Sequence, residues 1–274
     1  MATPIGNLAD VSLRALHVLG LVDRIACEDT RHTQQLLRAY GIDRAGDRLL
    51  ALHQHNEAEA AQKVVDWLAA GERVAYASDA GTPAVSDPGA RLAAAVRAAG
   101  HRVVPLPGAS SITTLLSAAG SAGEGGFVFA GFLPAKSGER DAAVQSLAAE
   151  TRAVVLLEAP HRIAALAGSL AALGDRPVTI GRELTKQFEE IATVPCAELA
   201  TWLAADPQRS RGEFALVLHG VAQAAASDDG ERVLRLLMAE LPVKTAVKLA
   251  AEITGSPRNS LYEQALKLKG TQAD

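Results

Sequence analysis

The chain has 274 residues, of which 49% are hydrophobic and only 4% aromatic, a composition typical of Ala- and Leu-rich helices packed on a sheet and not of a disordered protein. Its formal net charge of −4 argues against indiscriminate nucleic-acid binding through a broad basic surface. The sequence has two cysteines, Cys27 and Cys196, no apolar run of about 18 residues and no signal-peptide pattern, so we expect a soluble cytoplasmic protein without a disulfide framework, a membrane span or a metal site.

The first part of the chain alternates short apolar runs with amphipathic segments, which predicts alternating strands and helices. The predicted helices lie at residues 10–21, 30–40, 56–70 and 88–99, and the predicted strands at 25–27, 49–52, 74–78 and 102–106. This alternation predicts a mostly parallel sheet with helices on both faces.

A stretch of small residues at 117–126 is typical of a domain linker. Beyond it, strands are predicted at 127–130, 153–157, 177–180 and 214–218, and helices at about 137–149, 161–173 and 195–204. A hairpin in which 190–194 follows 182–185 fits the same pattern. The sequence therefore predicts one αβ domain over 1–118 and a second over 119–221.

The tail, residues 230–270, has a purely helical pattern. One helix is predicted at 241–254 and another at 259–268, with a Gly-Ser-Pro break at 255–257. Two helices joined by a glycine-containing turn resemble a helix-turn-helix, which predicts an RNA-binding module. A helical hairpin that merely docks on the body of the protein fits the pattern equally well.

The stretch from Val74 to Gly89 joins an apolar run to a turn-rich loop and then to a helix. Gly81 permits a sharp turn there, and Pro83 fixes its own φ. In open α/β sheets, ligands bind beyond the carboxyl ends of the strands, so this loop is a candidate binding site. A strand-to-helix turn that binds nothing has the same spacing.

The motifs of the commoner nucleotide chemistries are absent from the sequence. No G-x-G-x-x-G opens a helix, no Walker loop ends in Gly-Lys-Ser/Thr, and neither H-E-x-x-H nor G-x-S-x-G occurs. Nucleotide hydrolysis and hydride transfer are therefore disfavoured.

The loop DAGTPAVSDPG at 79–89 resembles the corresponding loop of the tetrapyrrole-methylase superfamily, and in particular its branch that methylates a ribose 2′-oxygen of small-subunit ribosomal RNA. Further matches follow in the expected order over nearly the whole chain: ATPIGNL at 2–8, EDTRHT at 28–33, HNE at 55–57, PLPGAS at 105–110, GFLP at 131–134, EAPHR at 158–162, RELTK at 182–186 and GEF at 212–214. The family begins with an apolar strand ahead of ATPIGN, whereas Met1 directly precedes Ala2 here. We expect either a start codon placed too late or a trimmed first strand.

The resemblance implies an α/β fold of two tetrapyrrole-methylase-type domains, with S-adenosylmethionine bound in the cleft between them, and a homodimer. It implies a cytidine of 16S ribosomal RNA as acceptor, in free RNA or in the assembled small ribosomal subunit. The residues that would contact the cofactor are Ile5, Asp79, Thr82, Ser110, Ser111 and Ile112. Turn or helix capping alone would also explain Asp79 and Ser110.

A ribose hydroxyl is a poor nucleophile, so we expect a base beside a cation. Glu183 or Lys186 is assigned to the acceptor hydroxyl, although positioning without any base is an alternative. Residues assigned to RNA contacts are Arg31, His32, Arg162 and Arg182 and, in the tail, Lys244, Lys248 and Arg258. Interdomain salt bridges and solvated surface lysines are the structural alternatives.

Two rival functions fit the same patterns. A corrin- or siroheme-pathway C-methyltransferase would share the fold and the cofactor. A non-catalytic ribosome-binding factor would keep the fold without transferring a methyl group.

Overall fold

A computed structural model describes residues 1–53, 56–85, 89–120, 126–221 and 227–270, with the backbone alone for 227–229 and 269–270. The chain divides into two compact units, residues 1–220 and 221–274. The larger unit contains both sheets, and the described part of the smaller unit is helical. Half of the predicted linker, residues 121–125, lies outside the described residues.

The α-helices are α1 Leu13–Leu21, α2 Thr30–Ala39, α3 Glu57–Ala69, α4 Gly89–Ala98, α5 Ser111–Ala119, α6 Ser137–Ser146, α7 Ile163–Leu170, α8 Leu199–Ala204, α9 Ser227–Glu240, α10 Val243–Thr254 and α11 Arg258–Gly270. The strands are β1 Arg24–Cys27, β2 Leu49–Ala51, β3 Val74–Ala77, β4 Phe127–Gly131, β5 Ala153–Glu158, β6 Pro177–Arg182, β7 Glu190–Pro195 and β8 Phe214–Leu218.

The first sheet has the order β2-β1-β3, and both pairings are parallel, as the alternating sequence pattern predicts. Its central strand is buried from Ile25 to Cys27. Side-chain caps set the start of the flanking helices: Ser12 Oγ accepts the Ala15 N–H at 3.1 Å, and a carboxylate oxygen of Asp29 accepts the Arg31 N–H at 2.8 Å. Each cap satisfies a backbone donor that the helix itself leaves unpaired.

The predicted strand at 102–106 is wrong, because residues 101–110 carry no strand. A strand needs a partner along its length, but here Ala2 offers a single backbone bond, from its N–H to the Leu106 carbonyl at 3.3 Å. The apolar side chains of the segment consequently face solvent, with Val103 42% and Val104 55% exposed.

The second sheet has the order β4-β5-β8-β6-β7 and is mixed. Strands β4 and β5 are parallel, β8 is antiparallel to both β5 and β6, and β6 and β7 form an antiparallel hairpin. Its second arm is the predicted one, but its first arm is Pro177–Arg182 and not the predicted 182–185, since residues 183–185 lie in the loop between the two strands. Because β8 runs against both its neighbours, β4, β5 and β6 all point the same way. Their carboxyl ends therefore meet at one edge of the sheet, which we call the carboxyl edge.

Both faces of the second sheet are covered, because β8 is apolar at every position and fully buried. One face packs on helices α6, α7 and α8 through residues such as Leu216 and Leu166. The other face packs on α5 through Val217 and Leu115. Helix α5, which a boundary at 118/119 would assign to the first domain, thus packs on the second sheet, so the predicted boundary does not mark a break in packing.

Gly220→Ala is expected to destabilise the larger unit strongly, because an added Cβ would lie 2.0 Å from the Thr151 carbonyl oxygen, a backbone atom that cannot rotate away. We expect a loss of about 2–4 kcal/mol in the free energy of unfolding, measured by urea titration. Gly168→Ala is the matched control: its Cβ would meet nothing within 4 Å inside helix α7, so this variant should gain about 0.5–1 kcal/mol. Equal midpoints for the two variants would contradict the packing described here.

The smaller unit is a three-helix arrangement whose core includes Leu234 from α9, Val247 and Ala250 from α10 and Leu261 from α11. Helices α10 and α11 confirm the two helices predicted in the tail, and Gly255, at φ +72°, ends α10 in the left-handed region that favours glycine.

Within the described residues, no helix combines the length and apolarity needed to cross a membrane. The same residues contain no cluster of three or more histidine, cysteine or carboxylate side chains suited to hold a metal ion. Cys27 and Cys196 are both buried free thiols.

Candidate functional site

Hydrogen bonds join three segments of the first half of the chain: the first residues around Thr3, the loop after β3 and the segment that leads into α5. Thr3 and Gly81 pair through two backbone bonds of 3.1 and 3.0 Å, and Ser78 Oγ donates to the Gly81 carbonyl at 2.6 Å. The Thr82 hydroxyl donates to the carbonyl of Ala109 at 3.1 Å. Gly81 has φ +79°. Residues with a side chain disfavour this left-handed backbone conformation, so glycine suits the position where the loop meets Thr3.

All six residues predicted to contact the cofactor lie on these three segments: Ile5, Asp79, Thr82, Ser110, Ser111 and Ile112. Ile5 Cγ2 would be 3.3 Å from a Cβ added at Gly81, so the glycine makes room for the isoleucine. Ile5 and Ile112 belong to one apolar cluster. Ser110 is the residue before helix α5, and its side chain makes no capping bond there.

Asp79 links the ends of β1 and β3. Its Oδ1 accepts the Asp29 N–H at 3.1 Å, and its own N–H donates to Glu28 Oε1 at 3.3 Å. The neighbouring Arg31 pairs with Asp29 at 2.7 Å, and this guanidinium lowers the pKa of the Asp29 carboxyl. The Arg31 side chain is 87% exposed, and His32 next to it is also exposed, so both predicted RNA contacts face solvent.

The carboxyl edge of the second sheet carries the two residues predicted to be catalytic. Lys186 Nζ donates to Glu183 Oε1 at 2.9 Å and to Glu213 Oε2 at 2.8 Å. Glu183 Oε1 also accepts the Glu213 N–H at 2.9 Å. The ammonium is thus held between two carboxylates, one 21% and the other 74% exposed.

We call Glu183, Lys186 and Glu213 the ion-pair cluster. The loop that carries Glu183 and Lys186 is strained. Glu183 and Thr185 have φ values of +51° and +65°, which cost side-chain-bearing residues energy and persist only where the surroundings enforce them. Here the Glu183 N–H donates to the Glu213 carbonyl at 3.0 Å, and the Thr185 N–H donates to Glu189 Oε2 at 2.6 Å. Gly212, at φ +89°, lies so close that a Cβ there would be 2.4 Å from Glu183 Cγ.

The first loop of the chain lies directly against the strained loop. The Asn7 N–H donates to Thr185 Oγ1 at 3.1 Å. A Cβ at Gly6 would lie 2.4 Å from Lys186 Cγ and 3.1 Å from the Leu184 carbonyl oxygen. Because Ile5 immediately precedes Gly6, the structure brings the predicted cofactor residues and the predicted catalytic pair to the same place.

The protonation states of the pair follow from its contacts. Burial raises the pKa of Glu183, but the bonds from Lys186 and from the Glu213 N–H outweigh it and leave that pKa below its ordinary value. Burial lowers the pKa of Lys186, but Glu213 and Glu183 raise it above its ordinary value. Lys186 is therefore an ammonium at neutral pH and cannot accept a proton, and Glu183 is an ionised, weak base.

Arg162, from the EAPHR match, and Arg182, from the RELTK match, are not part of the ion-pair cluster. The fully buried Glu158 carboxylate lies 3.0 Å from Arg162 Nε, and Arg162 Nη2 also donates to the Leu133 carbonyl. Arg182 is 6% exposed, and its Nη1 donates to the Phe188 carbonyl at 3.0 Å. The predicted RNA contacts of these two arginines stay predictions, and they are not favoured by this arrangement, in which both guanidinium groups stabilise loops.

Glu213 is the site residue that sequence reasoning missed. It occurs in the GEF match at 212–214, yet no charge pattern there links it to Lys186, 27 residues earlier in the chain. Only the antiparallel pairing of β6 with β8, which sets Arg182 opposite Phe214, brings the two together.

The predicted cations of the tail lie on the smaller unit. Lys244 and Lys248 are exposed on helix α10, four residues apart and so on one face. Arg258, at the start of α11, lies 3.8 Å from Glu252, and its side chain is 58% exposed. Solvated cations on a helical pair are compatible with phosphate contacts and equally with an ordinary surface.

The family model for Tetrapyrrole (Corrin/Porphyrin) Methylases matches residues 2–200, and a second model, RsmI C-terminal HTH domain, matches residues 224–269. The chain belongs to the tetrapyrrole methylase family. Relatives from Neisseria meningitidis and Escherichia coli O157:H7, each named Ribosomal RNA small subunit methyltransferase I, are both 47% identical to it. The alignments cover 98% of this chain and 92% and 94% of those relatives. Within the tetrapyrrole methylases, the chain therefore groups with the ribosomal RNA small subunit methyltransferase I branch.

Solved structures show the same tetrapyrrole methylase fold. The cobalamin biosynthetic enzyme cobalt precorrin-4 methyltransferase aligns with a TM-score of 0.59 at 16% identity, over 79% of this chain and 92% of that one. Uroporphyrin-III C-methyltransferase from Thermus thermophilus, complexed with S-adenosyl homocysteine, aligns with a TM-score of 0.52 at 16% identity, over 79% and 94% of the two chains. These likenesses confirm the predicted fold class.

Proposed function

We propose that this protein transfers a methyl group from S-adenosylmethionine to the ribose 2′-oxygen of a cytidine in 16S ribosomal RNA. The observation that carries the proposal is the meeting of Ile5, Gly6 and Asn7 with the ion-pair cluster around Lys186, in a chain 47% identical to relatives with the ribosomal RNA name. An ammonium and carboxylates beside a cofactor-type loop suit an acceptor that carries a hydroxyl and nearby phosphates.

The residues on the three joined segments fit this cofactor. Ile5, which is partly buried, offers apolar surface for an adenosine, and Ile112 is a buried member of the same apolar cluster. The first turn of α5 offers backbone N–H donors without a competing side-chain cap from Ser110, and such donors suit a carboxylate. Asp79 offers a carboxylate to cationic groups. When bound, S-adenosylmethionine would supply an activated methyl group on a sulfonium.

The ion-pair cluster supports positioning more than strong base catalysis. Lys186 stays charged and can donate to an oxygen of the ribose or of an adjacent phosphate, which orients the acceptor hydroxyl. Glu183 is a weak base. As the oxygen forms its third bond, to the methyl carbon, and the sulfonium–methyl bond breaks, the hydroxyl proton becomes strongly acidic, so a weak carboxylate base suffices to accept it late in the transfer. Of the two carboxylates bonded to Lys186, Glu183 is the less exposed, at 21% against 74% for Glu213, and it is the assigned proton acceptor.

The remaining parts of the proposal concern partners. The protein would act in the cytoplasm as a homodimer, on small-subunit ribosomal RNA or on the assembled small ribosomal subunit. The smaller unit, with Lys244, Lys248 and Arg258, would add affinity for the RNA. The match of residues 224–269 to a helix-turn-helix family supports this role.

Asp79→Ala is expected to weaken S-adenosylmethionine binding at least tenfold, about the loss of one charge-assisted contact, measured by calorimetry. Asp206→Ala is the matched control. Asp206 is another loop aspartate that accepts a backbone N–H, from Gln208 at 2.8 Å, and its removal should leave binding unchanged. Equal affinity in both variants would show that Asp79 only braces the ends of β1 and β3.

A tetrapyrrole C-methyltransferase is the second candidate, favoured by the fold shared with the precorrin-4 enzyme. At 16% identity that likeness concerns the fold alone. Offering the purified protein labelled S-adenosylmethionine with either undermethylated small ribosomal subunits or uroporphyrinogen III separates the two functions. Label on the subunits alone supports our proposal, and label on the tetrapyrrole alone overturns it. Cofactor-independent binding to subunits without any transfer would support the non-catalytic factor.

A further inference from the structure

An exposed aromatic ring stands beside the ion-pair cluster. Phe188 is 67% exposed, the most exposed of the five phenylalanines in the chain. It follows Lys186 by two residues, in the loop between β6 and β7. The ring therefore lies at the carboxyl edge of the second sheet, on the same loop as the residues assigned to the acceptor hydroxyl.

The backbone under this ring is rigid. Arg182, almost entirely buried, donates from Nη1 to the Phe188 carbonyl at 3.0 Å. The Glu189 N–H donates to the Lys186 carbonyl at 3.1 Å, and the Glu189 carboxylate accepts the Thr185 N–H at 2.6 Å. A buried guanidinium thus holds the backbone that carries the exposed ring, so little backbone freedom is left to lose when the ring binds a partner.

We propose that Phe188 is a stacking platform for a base of the acceptor RNA strand, at or next to the methylated nucleotide. The inference rests on the proposed function and adds a contact by which the protein binds the RNA strand. Proteins that recognise single-stranded or splayed RNA commonly stack bases on exposed aromatic side chains. Stacking accepts any base, so it would place the ribose near Lys186, while other contacts select the sequence.

This assignment also gives the buried Arg182 a role. Its side chain is 6% exposed and bonded to the Phe188 carbonyl, which does not favour a phosphate contact. It is instead a positioning residue for the aromatic platform.

The test compares Phe188→Leu, Phe188→Tyr and Phe188→Trp in the full-length protein, with undermethylated small ribosomal subunits as acceptor. We expect Phe188→Leu to lower kcat/KM about 10- to 100-fold, mainly through KM, the range expected for loss of one base–aromatic stack. The Tyr and Trp variants should stay near the wild type. S-adenosylmethionine affinity and sedimentation should not change in any variant.

Phe127→Leu is the matched control. Phe127 is 47% exposed, but it begins β4, so it lies at the opposite end of the sheet from the carboxyl edge. The Phe127→Leu variant should retain the wild-type kcat and KM.

A binding readout separates this inference from the proposed function. In Phe188→Trp, the added indole should lose fluorescence on titration with subunits, beyond the change in the wild type from Trp67 and Trp202. Wild-type transfer without that quenching, or equal kcat/KM for the Leu and Trp variants, would overturn the stacking role. Weaker cofactor binding in Phe188→Leu would assign the ring to the cofactor, and a lower sedimentation coefficient would assign it to a subunit interface. Quenching in a protein that transfers no methyl group would uphold the platform and refute the proposed function.

Discussion

Lys186→Met is expected to lower the rate of methyl transfer to small ribosomal subunits by about 10²- to 10³-fold, the range seen when one preorganised donor is removed from an active site. The variant loses the cation that would orient the acceptor, and it leaves the Glu183 and Glu213 carboxylates facing each other without a counter-charge. Single-turnover assays with saturating S-adenosylmethionine measure the effect, and calorimetry should show cofactor affinity within about twofold of the wild type.

Lys136→Met is the matched control for this variant. Lys136 forms an i,i+3 ion pair with Glu139 at 3.1 Å, as Lys186 does with Glu183, but its side chain is 82% exposed and lies on another loop. It should transfer methyl groups at the wild-type rate. A Lys186→Met protein that is folded and fully active would refute the assigned role.

The pH dependence of the ion pair has a definite sign. The pKa of Glu183 is lowered in the folded state, so its contribution to stability is present above the unfolded value and is lost as pH falls through the folded value. The pKa of Lys186 is raised, so its contribution is present below 10.5 and is lost as pH rises through the folded value. Transfer should therefore show no alkaline loss from Lys186 between about pH 7 and 9.

Glu158→Ala is expected to destabilise the larger unit strongly. The Glu158 side chain is fully buried, accepts the Ala159 N–H at 2.9 Å and lies 3.0 Å from Arg162 Nε. Its removal leaves a guanidinium, only 25% exposed, without its counter-charge. We expect a loss of about 2–4 kcal/mol in the free energy of unfolding, near the lower end for broken buried pairs because Arg162 retains some solvent.

Urea titration of Glu158→Ala, with Glu139→Ala as control, measures this loss. The Glu139 side chain is 58% exposed in its pair with Lys136, so its removal should change stability by less than about 0.5 kcal/mol. Replacing Glu158 and Arg162 together by leucine should cost less than Glu158→Ala alone, because no buried charge is left unpaired. Equal stability of Glu158→Ala and Glu139→Ala would show that the buried pair contributes little.

Local patterns were enough to predict most of the elements. The period of the apolar residues predicts helices such as α3 and α10, and short apolar runs predict β5 and β8, because each element buries a continuous stripe or face. The segment 102–106 has the same apolar character but forms no strand. A strand depends on a neighbour that its own sequence does not contain, and Ala2 supplies one bond only.

The candidate site was predictable in part. The resemblance placed Ile5, Asp79 and Ser110 on loops that the structure does bring together. The resemblance did not separate Arg162 and Arg182 from Lys186, because a motif match does not show what each side chain contacts. Sequence spacing could not reveal that Arg182 is buried or that Glu213 pairs with Lys186, since both facts depend on the order of strands β6 and β8 in the sheet.

The central claim is tested most directly by locating the transferred methyl group. Small ribosomal subunits from cells that lack this protein would be incubated with it and with labelled S-adenosylmethionine, and the RNA would be digested to nucleosides. Label in 2′-O-methylcytidine from 16S ribosomal RNA, lost with Lys186→Met and kept with Lys136→Met, is the predicted result. Label on a base, or no label despite cofactor binding, would contradict the account.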